Sequence, residues 1–193
     1  MMTRAVIAST LKDAEAVLEY WIRYHLAAGF ARLYLFFDDP DDASIEIARK
    51  FEAVTAITND ANLHKLWEST AIYSHPERFK FRDTEVMTRQ CLNAEVAIGM
   101  ALDAGFDWIV HIDLDELFYS PVISVAEHFD AMSRANIEYV TYLNYEAMPE
   151  KFEVTNFFRD VTLFKRNPAM FPEGKPTAHQ KKLLESIPNF RHQ

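Results

Sequence analysis

Short apolar runs alternate with amphipathic segments through the first half of the chain, and this alternation constrains the fold more than any other feature of the sequence. The apolar runs predict strands over 5–9, 32–37, 53–58 and 107–112. The amphipathic segments predict helices over 13–28, 44–52 and 84–104. Such alternation is typical of an α/β fold with a mostly parallel sheet flanked by helices.

Local signals place the ends and faces of these helices. Asp13 is the predicted cap of the first helix, and Gly29 is expected to end it. Ser124 and Glu127 have the spacing of a capping box at the start of a helix that runs to about residue 135. The inward face of the long helix over 84–104 is predicted to carry Met87, Cys91, Ala94, Ile98, Ala101 and Leu102.

The second half of the chain is rich in aromatic residues and predicts more strands than helices. We expect strands over 138–145, 154–158 and 161–165, and a helix over 177–185. The segment 59–82 has no clear period and is expected to be a partly helical excursion. The predicted fold is therefore a mostly parallel sheet with a strand-rich C-terminal half.

Three carboxylates, Asp113, Asp115 and Glu116, follow the predicted strand 107–112. In an extended chain, Asp113 and Asp115 would point to the same side. Ligands of open α/β sheets bind beyond the carboxyl ends of the strands, and a hard divalent cation relieves the repulsion between adjacent carboxylates. The pattern therefore predicts Mg²⁺ or Mn²⁺ at Asp113 and Asp115, against the alternative of a solvated acidic turn.

A second acidic pair, Asp38 and Asp39, follows the second predicted strand. One interpretation is an Asp-Pro-Asp turn, and the other is an acceptor of hydrogen bonds from a ribose or a base. Since the carboxyl ends of parallel strands meet at one edge, we expect this pair near Asp113 and Asp115.

Composition excludes several classes of function. The 193 residues include 20 Lys+Arg and 29 Asp+Glu, a net charge of −9, which argues against a nucleic-acid partner. The single cysteine permits no intrachain disulfide, and no segment approaches the roughly 20 apolar residues of a membrane span. We expect a soluble, cytoplasmic chain, with membrane or Golgi association only if a longer precursor supplies an anchor.

Two blocks of sequence resemble the family 92 glycosyltransferases and related family 2-like enzymes. The first is KDAEAVLEYWIRYH over 12–25 with Gly29-Phe30, and the second is RQCLN over 89–93 followed by DWIVHIDLDELF over 107–118. The resemblance covers residues 4–120 well and the rest loosely. It implies a GT-A fold, a nucleotide-sugar donor with UDP favoured, and a divalent cation held by the Asp-x-Asp motif.

The resemblance also implies roles for individual residues. Asp113 would contact the ribose or the metal shell, Asp115 would bind the metal directly, and Asp38 would lie near the uracil or ribose. The remaining donor-binding residues are expected to be Thr10 and Lys12 at the end of the first strand, and Asp39, Arg89 and Lys175. Lys175 would neutralise the diphosphate, whereas Arg89 either pairs with an acidic neighbour or reaches a phosphate. His179 and His192 are late histidines without a matching context.

The resemblance implies one GT-A-like domain over 1–193, with a nucleotide-sugar-binding half over 1–120. The acceptor-side half over 121–193 is expected to be incomplete at its C-terminus. The expected reaction is an inverting transfer of a sugar to a glycan or another hydroxyl acceptor. Glu146, Glu150 and Asp160 are the candidate general bases.

Two alternatives remain open. One is a transferase-like domain that binds a nucleotide or a partner without turnover. The other is a phosphotransferase of haloacid-dehalogenase type, which ranks lower because that class carries its Asp-x-Asp motif on the first strand rather than the fourth. Trp67 lies outside any periodic segment, and either packs in the core or stacks on a sugar or base.

Overall fold

A computed structural model describes residues 2–165. The first four strands are β1 (Ala5–Leu11), β2 (Arg32–Phe37), β3 (Val54–Thr58) and β4 (Trp108–His111). They form one sheet in the order β3-β2-β1-β4, and every neighbouring pair is parallel. The predicted α/β fold with a mostly parallel sheet flanked by helices is confirmed, and it is consistent with a GT-A-like fold.

Helices occupy the connections between these strands. The first two are α1 (Leu18–Ala28) and α2 (Ile45–Ala48), followed by α3 (Ala61–Trp67), α4 (Pro76–Phe79), α5 (Val86–Asp103) and α6 (Val125–Arg134). The strand order runs outward from β1 to β3 and then returns to place β4 on the other side of β1. Because parallel crossovers are right-handed, this reversal places α1 and α2 on one face and α3 to α5 on the other. Between β1 and β4 lies the topological switch point, where ligands of open α/β sheets bind.

The surroundings of the central strand β1 explain why its sequence is almost continuously apolar. It pairs with β2 from Val6 to Leu11 and with β4 from Ala5 to Ala8. With neighbours on both sides and helices on both faces, all but one of its residues are buried.

The start of α1 differs from the prediction. The helix begins at Leu18 rather than near Asp13, whose φ of 52° is left-handed. The Asp13 N–H donates to Asp42 Oδ2 at 2.7 Å, so this residue belongs to a loop contact and not to a helix cap. The predicted helix end at Gly29 is confirmed, with a left-handed φ of 108°. The capping box of Ser124 and Glu127 is also confirmed at the start of α6.

The predicted inward face of α5 is wrong. The structure buries Leu92, Asn93, Val96, Ala97 and Ala101 instead. Of the predicted set only Ala101 is buried, while Met87 is 66% exposed and Leu102 is 69% exposed. The buried face packs against Val6, Ala8, Tyr34 and Phe36 of the sheet and against Leu63 and Trp67 of α3.

The chain divides into two units, Met1–Glu138 and Tyr139–Gln193. The described part of the second unit contains β5 (Glu146–Met148), α7 (Phe157–Asp160) and β6 (Leu163–Lys165), and β5 pairs with β6 in the antiparallel sense. The expected strands over 138–145 and 154–158 are wrong, because the first segment has no strand and the second leads into α7. Of the strand expected over 161–165, only Leu163–Lys165 forms.

Several predictions lie outside the described residues. They are the helix over 177–185 and the roles of Lys175, His179 and His192. Within residues 2–165, none of the helices combines the length and the apolar character needed to cross a membrane.

Candidate functional site

Three polar side chains stand at the carboxyl ends of three neighbouring strands. Thr10 lies near the end of β1, Asp38 follows β2 and Asp113 follows β4. Because β2, β1 and β4 are parallel neighbours, all three lie at the same edge of the sheet, as predicted. We call this set the strand-end edge, and it includes the switch point between β1 and β4.

Three polar residues of α5 bind the strand-end edge. Arg89 forms an ion pair with Asp38, Gln90 Nε2 donates to Asp113 Oδ1 at 3.0 Å, and Asn93 Nδ2 donates to Thr10 Oγ1 at 3.0 Å. One helix therefore connects the ends of β2, β4 and β1 by side-chain hydrogen bonds.

The ion pair between Arg89 and Asp38 is bidentate and largely sheltered. Arg89 Nη2 donates to Asp38 Oδ2 at 2.7 Å, and the two side chains are only 14% and 13% exposed. Nη1 of the same arginine donates to the carbonyl of Arg82 at 2.7 Å. The hydrogen bond with Asp38 raises the pKa of the Arg89 guanidinium above its usual value. Of the two roles considered for Arg89, the structure shows pairing with an acidic neighbour.

Asn93 joins the strand-end edge to the core. Its Oδ1 accepts from Trp67 Nε1 at 2.9 Å while its Nδ2 donates to Thr10, so both ends of the amide have partners. Trp67 is 2% exposed and stacks on His64, with ring centroids 4.5 Å apart. Trp67 is therefore a core residue, and the alternative of a sugar-stacking surface is wrong.

The carboxylates after β4 lie in a turn. The strand ends at His111, and the Glu116 N–H donates to the Asp113 carbonyl at 3.1 Å, which closes a turn over residues 113–116, hereafter the acidic turn. Glu116 Oε2 in turn accepts from the Asp113 N–H at 3.1 Å. The extended-chain argument for Asp113 and Asp115 is therefore wrong, although both residues are exposed.

The acidic turn matches part of what a hard cation requires. Across residues 2–165, no three or more His, Cys, Asp or Glu side chains come together as a metal-binding group. Mg²⁺ and Mn²⁺ sites with phosphate ligands need only one or two carboxylates from the protein. Two exposed carboxylates at the switch point, one of them oriented by Gln90, fit that smaller set.

The loops that follow β1 and β2 are tied together. Lys12 Nζ lies 3.6 Å from Asp39 Oδ2, and both side chains are well exposed. Asp42, which sequence reasoning missed, is buried and accepts from the N–H groups of Asp13 at 2.7 Å and Ser44 at 2.8 Å. An Asp two residues before a Ser is typical of an Asx-turn, and this pattern in the sequence could have predicted the role of Asp42.

A second feature missed from the sequence lies between α1 and the residues that follow the acidic turn. Trp21 Nε1 donates to the Glu116 carbonyl at 2.9 Å, and Tyr24 Oη donates to the Phe118 carbonyl at 3.0 Å. The Phe118 N–H donates to His25 Nε2 at 3.2 Å. We call these three side chains the α1 clamp.

The His25 ring is buried, with 0% of its surface exposed. Its Nδ1 lies 2.9 Å from the carbonyl of Trp21, which can only accept, so Nδ1 carries the proton and Nε2 is the acceptor. Burial lowers the pKa of His25 to about 4.

The candidate bases lie in the second unit. Glu146 Oε2 is 3.1 Å from Lys165 Nζ, and Glu150 is exposed. Hydrogen bonds from Arg159 and from the Asn156 N–H lower the pKa of Asp160. A lowered pKa makes a carboxylate a weaker base, which counts against Asp160. The catalytic role of each stays a prediction.

Two curated plant proteins are similar to this chain. It is 29% identical over 199 residues to "Glycosyltransferase-like At2g41451" of Arabidopsis thaliana. This alignment covers 96% of this chain and 43% of that protein. It is 30% identical over 174 residues to "Glycosyltransferase-like At3g57200" of the same plant. That alignment covers 84% of this chain and 33% of that protein. The chain thus spans less than half the length of either relative. No family model and no solved structure matches it.

Proposed function

We propose that this chain provides the donor-binding part of a metal-dependent glycosyltransferase, which moves a sugar from a nucleotide diphosphate to a hydroxyl acceptor. The observation that carries the proposal is the strand-end edge, where Thr10, Asp38 and Asp113 meet beside the exposed Asp115 at the switch point. The similarity to two proteins named glycosyltransferase-like supports the class of reaction. UDP-sugars are the favoured donors.

The position of the acidic turn suits a diphosphate. Ligands of open α/β sheets bind at the switch point, and Asp113 follows the strand on one side of it while Thr10 ends the strand on the other. Two carboxylates alone repel a diphosphate, so binding here would require a divalent cation, which Asp113 and Asp115 would hold. When bound, Mg²⁺ or Mn²⁺ at Asp113 and Asp115 supplies charge stabilisation for the departing diphosphate.

The residues around the turn have separate tasks. Gln90 orients the Asp113 carboxylate through its 3.0 Å hydrogen bond. The paired Asp38 and Arg89 hold the end of β2 against α5, and Asn93 fixes the Thr10 hydroxyl that faces the nucleotide. Lys12 and Asp39 pair with each other beside that edge, and both side chains are exposed enough for a nucleotide to contact them. Lys175 is proposed as a further phosphate contact.

The transfer forms one bond and breaks one bond. The acceptor oxygen bonds to the anomeric carbon as the bond between that carbon and the diphosphate oxygen breaks, which inverts the anomeric centre. The acceptor proton passes to a general base, for which Glu146, Glu150 and Asp160 are the candidates. The electron pair of the broken bond leaves with the diphosphate.

The test is Asp115→Asn, which keeps the shape of the side chain and removes its charge. We expect Mn²⁺-dependent UDP binding, measured by titration calorimetry, to be lost. The melting temperature should not fall, because the substitution also removes repulsion with Asp113. Asp103→Asn, at the exposed end of α5, is the matched control and should bind like the wild type.

Equal affinities of the wild type and Asp115→Asn would refute the metal role. Measuring UDP release from UDP-sugars with an added acceptor separates transfer from binding. Tight Mn²⁺-dependent binding without turnover in the full-length protein would favour the alternative of a transferase-like domain that only binds a nucleotide.

A further inference from the structure

We propose that Trp21, Tyr24 and His25, the α1 clamp, are positioning residues that fix the acidic turn where a cation and a diphosphate can use it. This inference rests on the proposed function. It assigns a role to three residues that lie about 90 residues before Asp113 and Asp115 in the sequence.

The three side chains share one face of α1. Their spacing of i, i+3 and i+4 aligns them along the helix, so they reach a single partner segment. That segment is residues 116–118, where they contact the carbonyl of Glu116 and both the N–H and the carbonyl of Phe118. One rigid element therefore holds the main chain directly after Asp115.

The clamped segment is anchored in the core as well. Phe118 is 8% exposed and packs edge-on against Phe30, with centroids 5.3 Å apart. It also stacks on Phe129 of α6 at 5.8 Å. The Asp113 and Asp115 side chains remain exposed, so the turn is fixed through its main chain while its carboxylates stay accessible.

The acidic turn is thus held at both ends. On one side β4 is paired with β1 up to His111, and on the other the α1 clamp begins at Glu116. Only four residues, 112–115, lie between the two anchors. A short segment with fixed ends has little conformational freedom, which lowers the ordering cost when a ligand binds.

The chemistry of the clamp suits a cation site. All of its hydrogen bonds are made by neutral groups: an indole N–H, a phenol and an imidazole whose Nε2 only accepts. An arginine or lysine in the same place would put a positive charge near the carboxylates and compete with the cation. The α1 clamp orders the turn and leaves the charge of Asp113 and Asp115 available.

Tyr24→Phe removes one hydrogen-bond donor and keeps the ring. Trp21→Phe removes the indole donor and leaves a smaller aromatic ring in the same buried place. Tyr20→Phe is the matched control, because Tyr20 lies on the same helix and is 55% exposed. The first measurement is hydrogen exchange of the full chain without ligand. We expect the amides of residues 113–118 to exchange about threefold to tenfold faster in both variants, the equivalent of one neutral hydrogen bond.

The second measurement is Mn²⁺-dependent UDP affinity by titration calorimetry, at a temperature where all variants are folded. We expect it to fall about threefold to tenfold in both clamp variants and to be unchanged in Tyr20→Phe. A merely structural role would lower the melting temperature without moving this affinity. If Trp21→Phe fails to fold, Tyr24→Phe, which loses a single hydroxyl, carries the test.

Two results overturn the inference without touching the proposed function. One is unchanged exchange over residues 113–118 in the folded variants, and the other is wild-type affinity in the same variants. If the wild-type chain does not bind UDP in the presence of Mn²⁺, the proposed function is refuted, and the positioning role of the α1 clamp is refuted as well.

Discussion

Acid is expected to destabilise the first unit through His25, which must lose its hydrogen bond from Phe118 if its Nε2 becomes protonated. Burial lowers the pKa of this ring from 6.5 to about 4 in the folded state. The unfolded chain therefore binds a proton first as the pH falls, so stability declines below about pH 6.5 and levels off near pH 4. The full difference of about 2.5 pKa units corresponds to about 3.4 kcal/mol, of which about 2 kcal/mol is lost by pH 5.

The assay is urea unfolding of the wild type and His25→Gln at pH 7, 6 and 5. The variant should be less stable at pH 7, and its disadvantage should shrink by about 2 kcal/mol at pH 5. Carboxylates that titrate in both proteins cancel in this difference. His111→Gln, at the exposed end of β4, controls for replacing a histidine and should keep the wild-type decline. A disadvantage of His25→Gln that stays constant from pH 7 to pH 5 would refute the reasoning.

Three further predictions test the packing around the site. Arg89→Gln leaves the sheltered Asp38 carboxylate without its arginine and should cost about 2 kcal/mol in urea unfolding, whereas an unchanged midpoint would show that the pair is not formed in solution. Ile98→Glu should change the free energy of unfolding by about 0.5 kcal/mol or less, because Ile98 is exposed. Ala97→Glu, one residue away on the buried face, should prevent cooperative thermal unfolding. If Ile98→Glu were the more damaging of the two, the inward face of α5 would be the one predicted from the sequence. Gly29→Ala should cost about 1 kcal/mol or more in thermal melts, because φ is 108° while the nearest side-chain atom lies an ordinary 3.8 Å from the new Cβ, and a gain in stability would contradict a left-handed residue there.

The centre of the sheet could be predicted because β1 and β2 are buried on both faces. Segments such as 5–9 and 32–37 are short apolar runs for that reason. The end of α1 could be predicted because a left-handed glycine commonly ends a helix, as Gly29 does. The shared edge of Asp38 and Asp113 followed from the parallel topology alone.

The buried face of α5 could not be predicted from periodicity. Apolar residues lie on two overlapping stripes of this helix, so the same period fits both. The structure selects the stripe that contains Asn93 and Arg89, since these polar residues are satisfied by Trp67, Thr10 and Asp38. Those partners are distant in sequence, and a helical pattern carries no information about them.

The prediction of strands over 138–145 and 154–158 was wrong for a related reason. Aromatic and β-branched residues favour strands only where a neighbouring strand and a packed face are present. In the described part of the second unit, Glu146–Met148 and Leu163–Lys165 pair with each other, but both strands stay largely exposed. The α1 clamp was equally hidden, because its partners are main-chain groups that any residue type provides.

The exposure of Cys91 has a practical consequence for measuring ligands. It is the single cysteine of the chain, it lies on the outer surface of α5, and it directly follows Gln90, which contacts Asp113. A thiol-reactive fluorophore will therefore label one position without any engineered substitution. Since the dye would sit one residue from a side chain that touches the acidic turn, the proposed binding of a cation and a nucleotide can be tested as a change in its emission.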